Sequence, residues 1–188
     1  MLKDYDNALT DKNTVHSYLD VYELLLRNRK TSAKNIMEIG IWKGGALLLF
    51  HDYFQNASIY GIDVLPITNV DESVLSKERI HCIPDTNAYS DETIIKIKEL
   101  NIKFDFILDD GDHTETSMIY YIKNYLDFLT SDGILIIEDF VGGIEMATRV
   151  LQTVPAWSKD CSFIIDRRPI KNRFDDIVLV IDKSLLTN

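Results

Sequence analysis

The seven residues from Ile107 to His113 read ILDDGDH: an apolar run stops, and three carboxylates and an imidazole crowd into the next five positions. A second acidic pair, Glu138 and Asp139, follows another apolar run, ILII. Two acidic pairs brought side by side disfavour joint ionisation unless they are solvated, protonated or bridged by a cation. All-oxygen donors without cysteine select a hard divalent ion such as Mg²⁺, Mn²⁺ or Ca²⁺, and a site of two or three carboxylates leaves positions for water or substrate oxygens. A neutral imidazole at His113 can then accept a proton from a hydroxyl whose pKa such an ion lowers. The plainer readings are a solvated acidic loop and a capping histidine in a polar turn.

A second constellation lies upstream. The stretch EIGIWKGG places Glu38, Gly40, Gly44 and Gly45 between an apolar run and a helical pattern, so that backbone passes close to anything lying across the turn. It is not a dinucleotide fingerprint, because Trp42 stands where a second glycine belongs. Asp63 ends the next apolar run at about the distance where an acid grips ribose hydroxyls. The combination points to a nucleoside without requiring a pyrophosphate. Taken singly, a glycine after a strand is commonly a turn requirement, and an aspartate at a strand end commonly a cap.

These residues need elements to position them. NIMEIG (35–40), SIYGID (58–63), RIHCI (79–83), FDFIL (104–108) and ILIIED (134–139) read as strands, with helical patterns in GALLLFHDYF (45–54), DETIIKIKEL (91–100) and GIEMATRVLQ (143–152). Asp112 and Glu115 have capping-box spacing, which starts a helix running to about Leu129, and SDG (131–133) reads as a turn. TVHSYLDVYELLLRNR (14–29) reads as a first helix capped by Thr14. Two further strands, CSFIID (161–166) and DIVLVI (176–181), are joined by a loop too short for a parallel crossover, so they form an antiparallel hairpin. Continuous apolar strands alternating with helices predict a doubly wound α/β fold: a mostly parallel seven-stranded sheet with a C-terminal antiparallel hairpin. In such sheets ligands bind beyond the carboxyl ends of the strands, where both constellations lie.

Length and composition bound the rest. The chain has 188 residues, enough for one domain with its own core, read here as an N-terminal helical segment (1–33) followed by the α/β core (34–188). No stretch is long and apolar enough for a membrane span, and the polar MLKDYDNALTDKN lacks the centre of a secretory signal, so the expectation is a cytoplasmic protein with no membrane partner. A net charge of −10 argues against nucleic acid and favours a small polar substrate or a cation. Cys82 and Cys161 sit in apolar segments and read as small buried hydrophobes. The basic run DRRPIKNR (166–173) reads as a solvated loop, with reception of a phosphorylated or nucleotide-linked acceptor as the functional alternative.

EIGIWKGG, GID, ILDDGDH and IEDF together resemble class I S-adenosylmethionine-dependent methyltransferases, and more narrowly the metal-dependent O-methyltransferases that act on macrolide sugars and the cephalosporin-hydroxylase-like proteins. The likeness extends to TDKNTVHSYLDVYE (10–23), similar to a segment that folds over the cofactor in those relatives. The resemblance implies a divalent cation, Mg²⁺ first, held by Asp110, Glu138 and Asp139, with His113 as general base. It implies that Glu38, Gly40, Lys43 and Gly44 carry the methionine part of S-adenosylmethionine, that Asp63 binds its ribose, and that Asp85 and Thr86 lie near its adenine. Asp109 would position the sulfonium end, and His16 and Tyr18 would belong to the lid. The implied activity is O-methylation of a sugar or glycosylated small molecule. A phenol acceptor, a non-catalytic cofactor-binding module, and assembly as a homo-oligomer all stay open. Two departures stand out: Trp42 replaces the glycine common in the turn, and Asp85 follows Pro84 where relatives have glycine.

Overall fold

The computed structural model describes residue 2 and residues 8–186. Seven strands form one sheet: β1 (Asn35–Ile39), β2 (Ser58–Ile62), β3 (Ile80–Ile83), β4 (Phe104–Asp109), β5 (Leu129–Ile137), β6 (Ser162–Asp166) and β7 (Ile177–Asp182). Their order is β3-β2-β1-β4-β5-β7-β6, with β1 to β5 parallel and β7 antiparallel to both β5 and β6. The chain walks outward from β1 to β3 and then returns to lay β4 on the other side of β1. That reversal opens a crevice above the tips of β1 and β4.

Among the described residues seven α-helices flank the sheet: α1 (Leu19–Leu26), α2 (Gly45–Tyr53), α3 (Glu72–Leu75), α4 (Asp91–Glu99), α5 (Glu115–Tyr125), α6 (Gly143–Gln152) and α7 (Arg168–Lys171). Successive strand side chains point to opposite faces. Ile36, Phe106, Leu108, Ile134 and Ile136 pack with Tyr22, Leu47 and Phe50 from α1 and α2. Met37, Ile107, Leu135 and Ile137 pack with Ile94, Met118, Ile122 and Val150 from α4, α5 and α6. Carried past the strand tips, the same alternation sends Glu38, Asp110 and Glu138 to the α1 face and Asp109 to the opposite one. Their partners agree: Lys12 meets the first three and Tyr89 meets Asp109. None of the helices in the described residues is long and apolar enough to cross a membrane.

Three local expectations change. The first helix begins at Leu19, not Thr14, and its N-cap Tyr18 makes no side-chain capping bond, because His16, Ser17 and Tyr18 are committed to carboxylates of the crevice. The cap of α5 is Thr114, whose hydroxyl accepts from the Ser117 amide, while Asp112 accepts from the Ser117 hydroxyl and the Thr114 amide. That helix ends at Tyr125 and tightens into a 3₁₀ turn over Leu126–Phe128. Finally, β5 starts at Leu129, and the expected SDG turn lies inside it as an irregularity between the Phe104–Leu129 and Phe106–Ile134 pairings. Both cysteines are free, Cys161 buried and Cys82 partly so.

Candidate functional site

One half of the crevice is open. A cavity of about 600 Å³ lies over the tips of β1, β2 and β4, with Ile39, Gly40, Trp42, Ile62, Asp63, Val64, Leu65, Thr86 to Tyr89 and Asp110 to His113 as its walls. Gly40 has φ +90°, and a Cβ there would run into the carbonyl of Asp110, so only glycine lets the β1–α2 turn lie against the tip of β4. Asp63 organises the same turn: Oδ2 accepts from the amides of Ile41 (2.7 Å) and Trp42 (2.8 Å), and Oδ1 from that of Leu65 (2.8 Å). Each carboxylate oxygen has further acceptor capacity, so this bonding leaves Asp63 able to receive a ligand hydroxyl.

Trp42 stands at φ +48°, the left-handed conformation that a glycine adopts at no steric cost. Asp85, His113 and Asp139 also have positive φ, so four of the six such non-glycine residues among those described border this crevice. Strained backbone of this kind concentrates where a side chain must be aimed.

The other half is filled by the chain itself. Residues 11–18 form a strap over the tips of β4, β5 and β7, and Lys12 buries its ammonium beneath it, with 1% of the side chain exposed. Its Nζ donates to Asp110 Oδ2 at 2.6 Å and to Glu138 Oε1, and lies 3.7 Å from Glu38 Oε1. The last distance is an ion pair too long to be a hydrogen bond. Tyr22 donates its hydroxyl to Glu138 Oε2, and Tyr18 donates to Asp139 Oδ1. His16 Nδ1 lies 3.1 Å from Asp139 Oδ1 and 3.0 Å from Asp176 Oδ1, and Ser17 donates its hydroxyl to Asp176 at 2.6 Å.

The electrostatics follow from burial. Burial pushes Glu38 up to about 8, with Lys12 pulling it back down and Asp110 pushing it further up. Both Glu38 oxygens lack a hydrogen-bond partner, although the side chain is 1% exposed. Burial likewise lifts Asp109 to about 7, against the Tyr89 hydroxyl that donates to it at 2.5 Å. Glu138 and Asp139 are raised by burial, Glu138 held back by Lys12 and Asp139 raised further by Asp110. For Lys12 burial works downward, but Asp110, Glu138 and Glu38 outweigh it and hold the ammonium charged well above the usual lysine range.

Among the described residues, no donor of the strap reaches Asp110 Oδ1 or Asp139 Oδ2. Asp110 Oδ1 lies 3.9 Å and Asp139 Oδ2 4.0 Å from His113 Nε2, and ligand atoms of Asp110, His113 and Asp139 all fall within 4.8 Å of one another. Oxygens from two strand tips and one imidazole make a donor set that suits a hard cation with room for substrate oxygens. Of the residues anticipated from sequence, Gly40, Asp63, Thr86, Asp110 and His113 border the cavity. Glu38 and Asp109 lie beneath it, buried. Gly44 caps α2 with φ +86°, Lys43 lays its ammonium 4.7 Å from the centre of the Trp42 ring, and Asp85 is exposed beside the cavity rather than in its wall. Tyr18 faces the carboxylates, not the cavity.

Leu65, after β2, and Asn87, Ala88 and Tyr89, after β3, line the cavity without having been anticipated; such short turn-rich stretches carry no pattern that marks them. Lys12 was also missed, since a lone lysine in a polar stretch reads as solvated. The basic run is not a solvated loop either. Lys171 donates to the carbonyls of Asn13 and His16, and Arg167 donates to the Ser17 carbonyl (3.2 Å) and pairs with Asp20 (2.6 Å), so α7 and the residue before it clasp the strap.

Comparison with known proteins agrees with this architecture. The sequence is 26% identical over 133 residues to mycinamicin VI 2''-O-methyltransferase of Micromonospora griseorubida, a match covering 66% of this chain and 32% of that protein. It is 24% identical over 138 residues to 8-demethyl-8-alpha-L-rhamnosyl tetracenomycin-C 2'-O-methyltransferase of Streptomyces olivaceus, covering 69% of this chain and 35% of that one. The chain thus spans about a third of the length of these relatives. Among solved structures, the MycE methyltransferase of the mycinamycin pathway, in complex with Mg, SAH and mycinamycin VI, superposes with a TM-score of 0.71 at 17% identity over 90% of this chain and 49% of its own. An O-methyltransferase from Bacillus cereus in complex with SAH gives 0.64 at 14% identity, over 96% and 84%. The model of one family, described as a methyltransferase domain, matches residues 37–140. Since that span carries the glycine turn, Asp63 and both acidic pairs on a sheet of the matching topology, the chain belongs to the methyltransferase domain family.

Proposed function

We propose that the chain binds S-adenosylmethionine in the open half of the crevice and methylates a hydroxyl of a sugar or glycosylated small molecule. One observation carries the reading: the cavity of about 600 Å³ ends at Asp110 and His113, so a nucleoside seated between Asp63 and Thr86 would direct its far end at the Asp110–His113–Asp139 group. Names of the relatives supply the acceptor class, since both are O-methyltransferases and one acts on a rhamnosyl compound.

When bound, the cofactor supplies an electrophilic methyl group, and a divalent ion, most simply Mg²⁺, supplies positive charge that lowers the pKa of the acceptor hydroxyl. Asp110 and Asp139 would hold the ion through the oxygens that face His113, with Glu138 as third ligand. Glu38, buried and unsatisfied below the β1 turn, suits the ammonium of the methionine moiety, and Asp63 suits its ribose hydroxyls. His113, with 28% of its side chain exposed and Nε2 turned to both free oxygens, is placed to take the proton of the attacking hydroxyl. The strap covers Glu138 and most of Asp139, Tyr89 covers Asp109, and the strand tips fix the orientation of the reacting groups, which is where most of the rate in such a transfer originates.

Calorimetric titration with S-adenosylmethionine, with NAD as control, should show binding of the first only; binding of NAD, or of neither, would refute the cofactor assignment. Mass spectrometry of glycosylated and phenolic acceptors, incubated with enzyme and Mg²⁺ and again with excess EDTA, should show methylated sugars only when metal is present. Turnover of phenols alone would move the acceptor class, and tight cofactor binding without any turnover would favour a binding module. The mutual approach of Asp110, His113 and Asp139 favours one further reading, with His113 as a metal ligand. His113→Ala separates the two: a base loses turnover with Mg²⁺ affinity intact, whereas a ligand loses both.

A further inference from the structure

We infer that Lys12 is a resident cation of the carboxylate site, seated between Asp110 and Glu138 where a divalent ion would lie, so that metal binding and closure of the strap compete. This goes beyond the methyltransferase reading but rests on its metal site.

The geometry leads there in three steps. Glu38, Asp110 and Glu138 share one face of the sheet by strand alternation, and Lys12 Nζ is the cation that reaches all three. An ammonium there removes the like-charge conflict that sequence alone assigned to a metal ion. Second, Glu138 Oε1 already receives the charged Lys12 ammonium and Oε2 receives Tyr22, so an ion approaching this carboxylate meets a like charge. Glu138 therefore joins Asp110 and Asp139 around an ion only if the ammonium withdraws. Third, Lys12 is not held by its immediate surroundings alone. The backbone that follows it is fastened by Lys171 and Arg167 through the carbonyls of Asn13, His16 and Ser17, and His16 and Tyr18 are bonded to Asp139, itself a candidate ligand. Displacing Lys12 thus perturbs the whole strap. Glu38, whose oxygens have no hydrogen-bond partner, marks the corner as one whose polar groups the strap alone leaves incompletely satisfied.

A ligand whose competent state is only fractionally populated binds with affinity reduced by that fraction. Removing the ammonium should make the site fully competent. The test is Mn²⁺ titration of the whole chain, followed by electron paramagnetic resonance, on wild type, Lys12→Met and Lys12→Arg, with hydrogen exchange of the strap amides in the wild type as a second readout. Lys12→Met should bind Mn²⁺ at least about tenfold more tightly than wild type and Lys12→Arg no more tightly, and saturating Mn²⁺ should speed amide exchange over residues 11–18 of the wild type. Equal affinity in wild type and Lys12→Met, or a strap that Mn²⁺ protects, would overturn the competition while leaving the metal site in place. Mn²⁺ binding to neither protein would remove the competition and the metal site together. If Lys12→Met does not fold, the exchange measurement on the wild type decides alone.

Discussion

The two halves of the crevice solve the same electrostatic problem in opposite ways. Over β4, β5 and β7 the carboxylates of Asp110, Glu138, Asp139 and Asp176 are covered by the chain's own Lys12, His16, Ser17, Tyr18 and Tyr22, whose side chains take up six of their eight oxygens. Over β1 and β2 there is a cavity of about 600 Å³ instead, and the acid beneath it, Glu38, is left without a hydrogen bond. The first half is preorganised at the expense of room; the second keeps room at the expense of satisfaction. A side chain buried at the strand tips should therefore matter to stability, and one in the wall of the cavity to ligand binding.

The sharpest way to break that distinction is Lys12→Ala. Removing one partner of a buried ion pair costs about 3–5 kcal/mol, so the variant should lose that much in equilibrium urea denaturation without metal; a loss below about 1 kcal/mol would mean that the strap's charge contributes no more than an exposed pair. Next is Glu38→Gln, read as a function of pH. Glu38 is raised to about 8 from an ordinary 4.5, so the folded state holds its proton more tightly than the unfolded one, and its contribution is fully present below pH 4.5 and lost as pH rises through 8. At about 1.4 kcal/mol per unit of displacement, the neutral variant should match wild type at low pH and become more stable by a few kcal/mol across that window. A constant difference at all pH values would remove Glu38 as the source.

Tyr22→Phe should cost about 1–3 kcal/mol, because Glu138 Oε2 is left buried and unpaired, and thermal melting would register it. The smallest effect on stability belongs to the open half. Leu65→Arg, at a position 37% exposed in the cavity wall, should change stability by no more than about 0.5 kcal/mol while abolishing S-adenosylmethionine binding by calorimetry. Retained binding would place the nucleoside elsewhere.

The sheet was legible because its strands are short apolar runs bounded by turn residues, and the antiparallel end because too few residues separate its two strands. Period-two alternation even encodes which acids share a face, since Glu38, Asp110 and Glu138 have the parity of Ile36, Leu108 and Ile136. Residues 11–18 were another matter. Val15 is 41% exposed and Tyr18 fully buried, an arrangement that helical spacing misassigned because it is set by carboxylates more than a hundred residues away, not by neighbours along a helix. Likewise Lys12 is chemically ordinary, and the role of DRRPIKNR as a clasp depends on backbone carbonyls, which the sequence does not distinguish.

Those long separations have a consequence for how the protein is made. His16 meets Asp176 across 160 residues and Lys171 meets His16 across 155, so the strap leaves the ribosome well before the residues that fasten it. Contacts of such separation form late, and until they do the acids at the tips of β4 and β5 face water without the lysine that covers them. A nascent chain halted before residue 167 would carry the five parallel strands, with their carboxylates still open to whatever cations the translating cell provides.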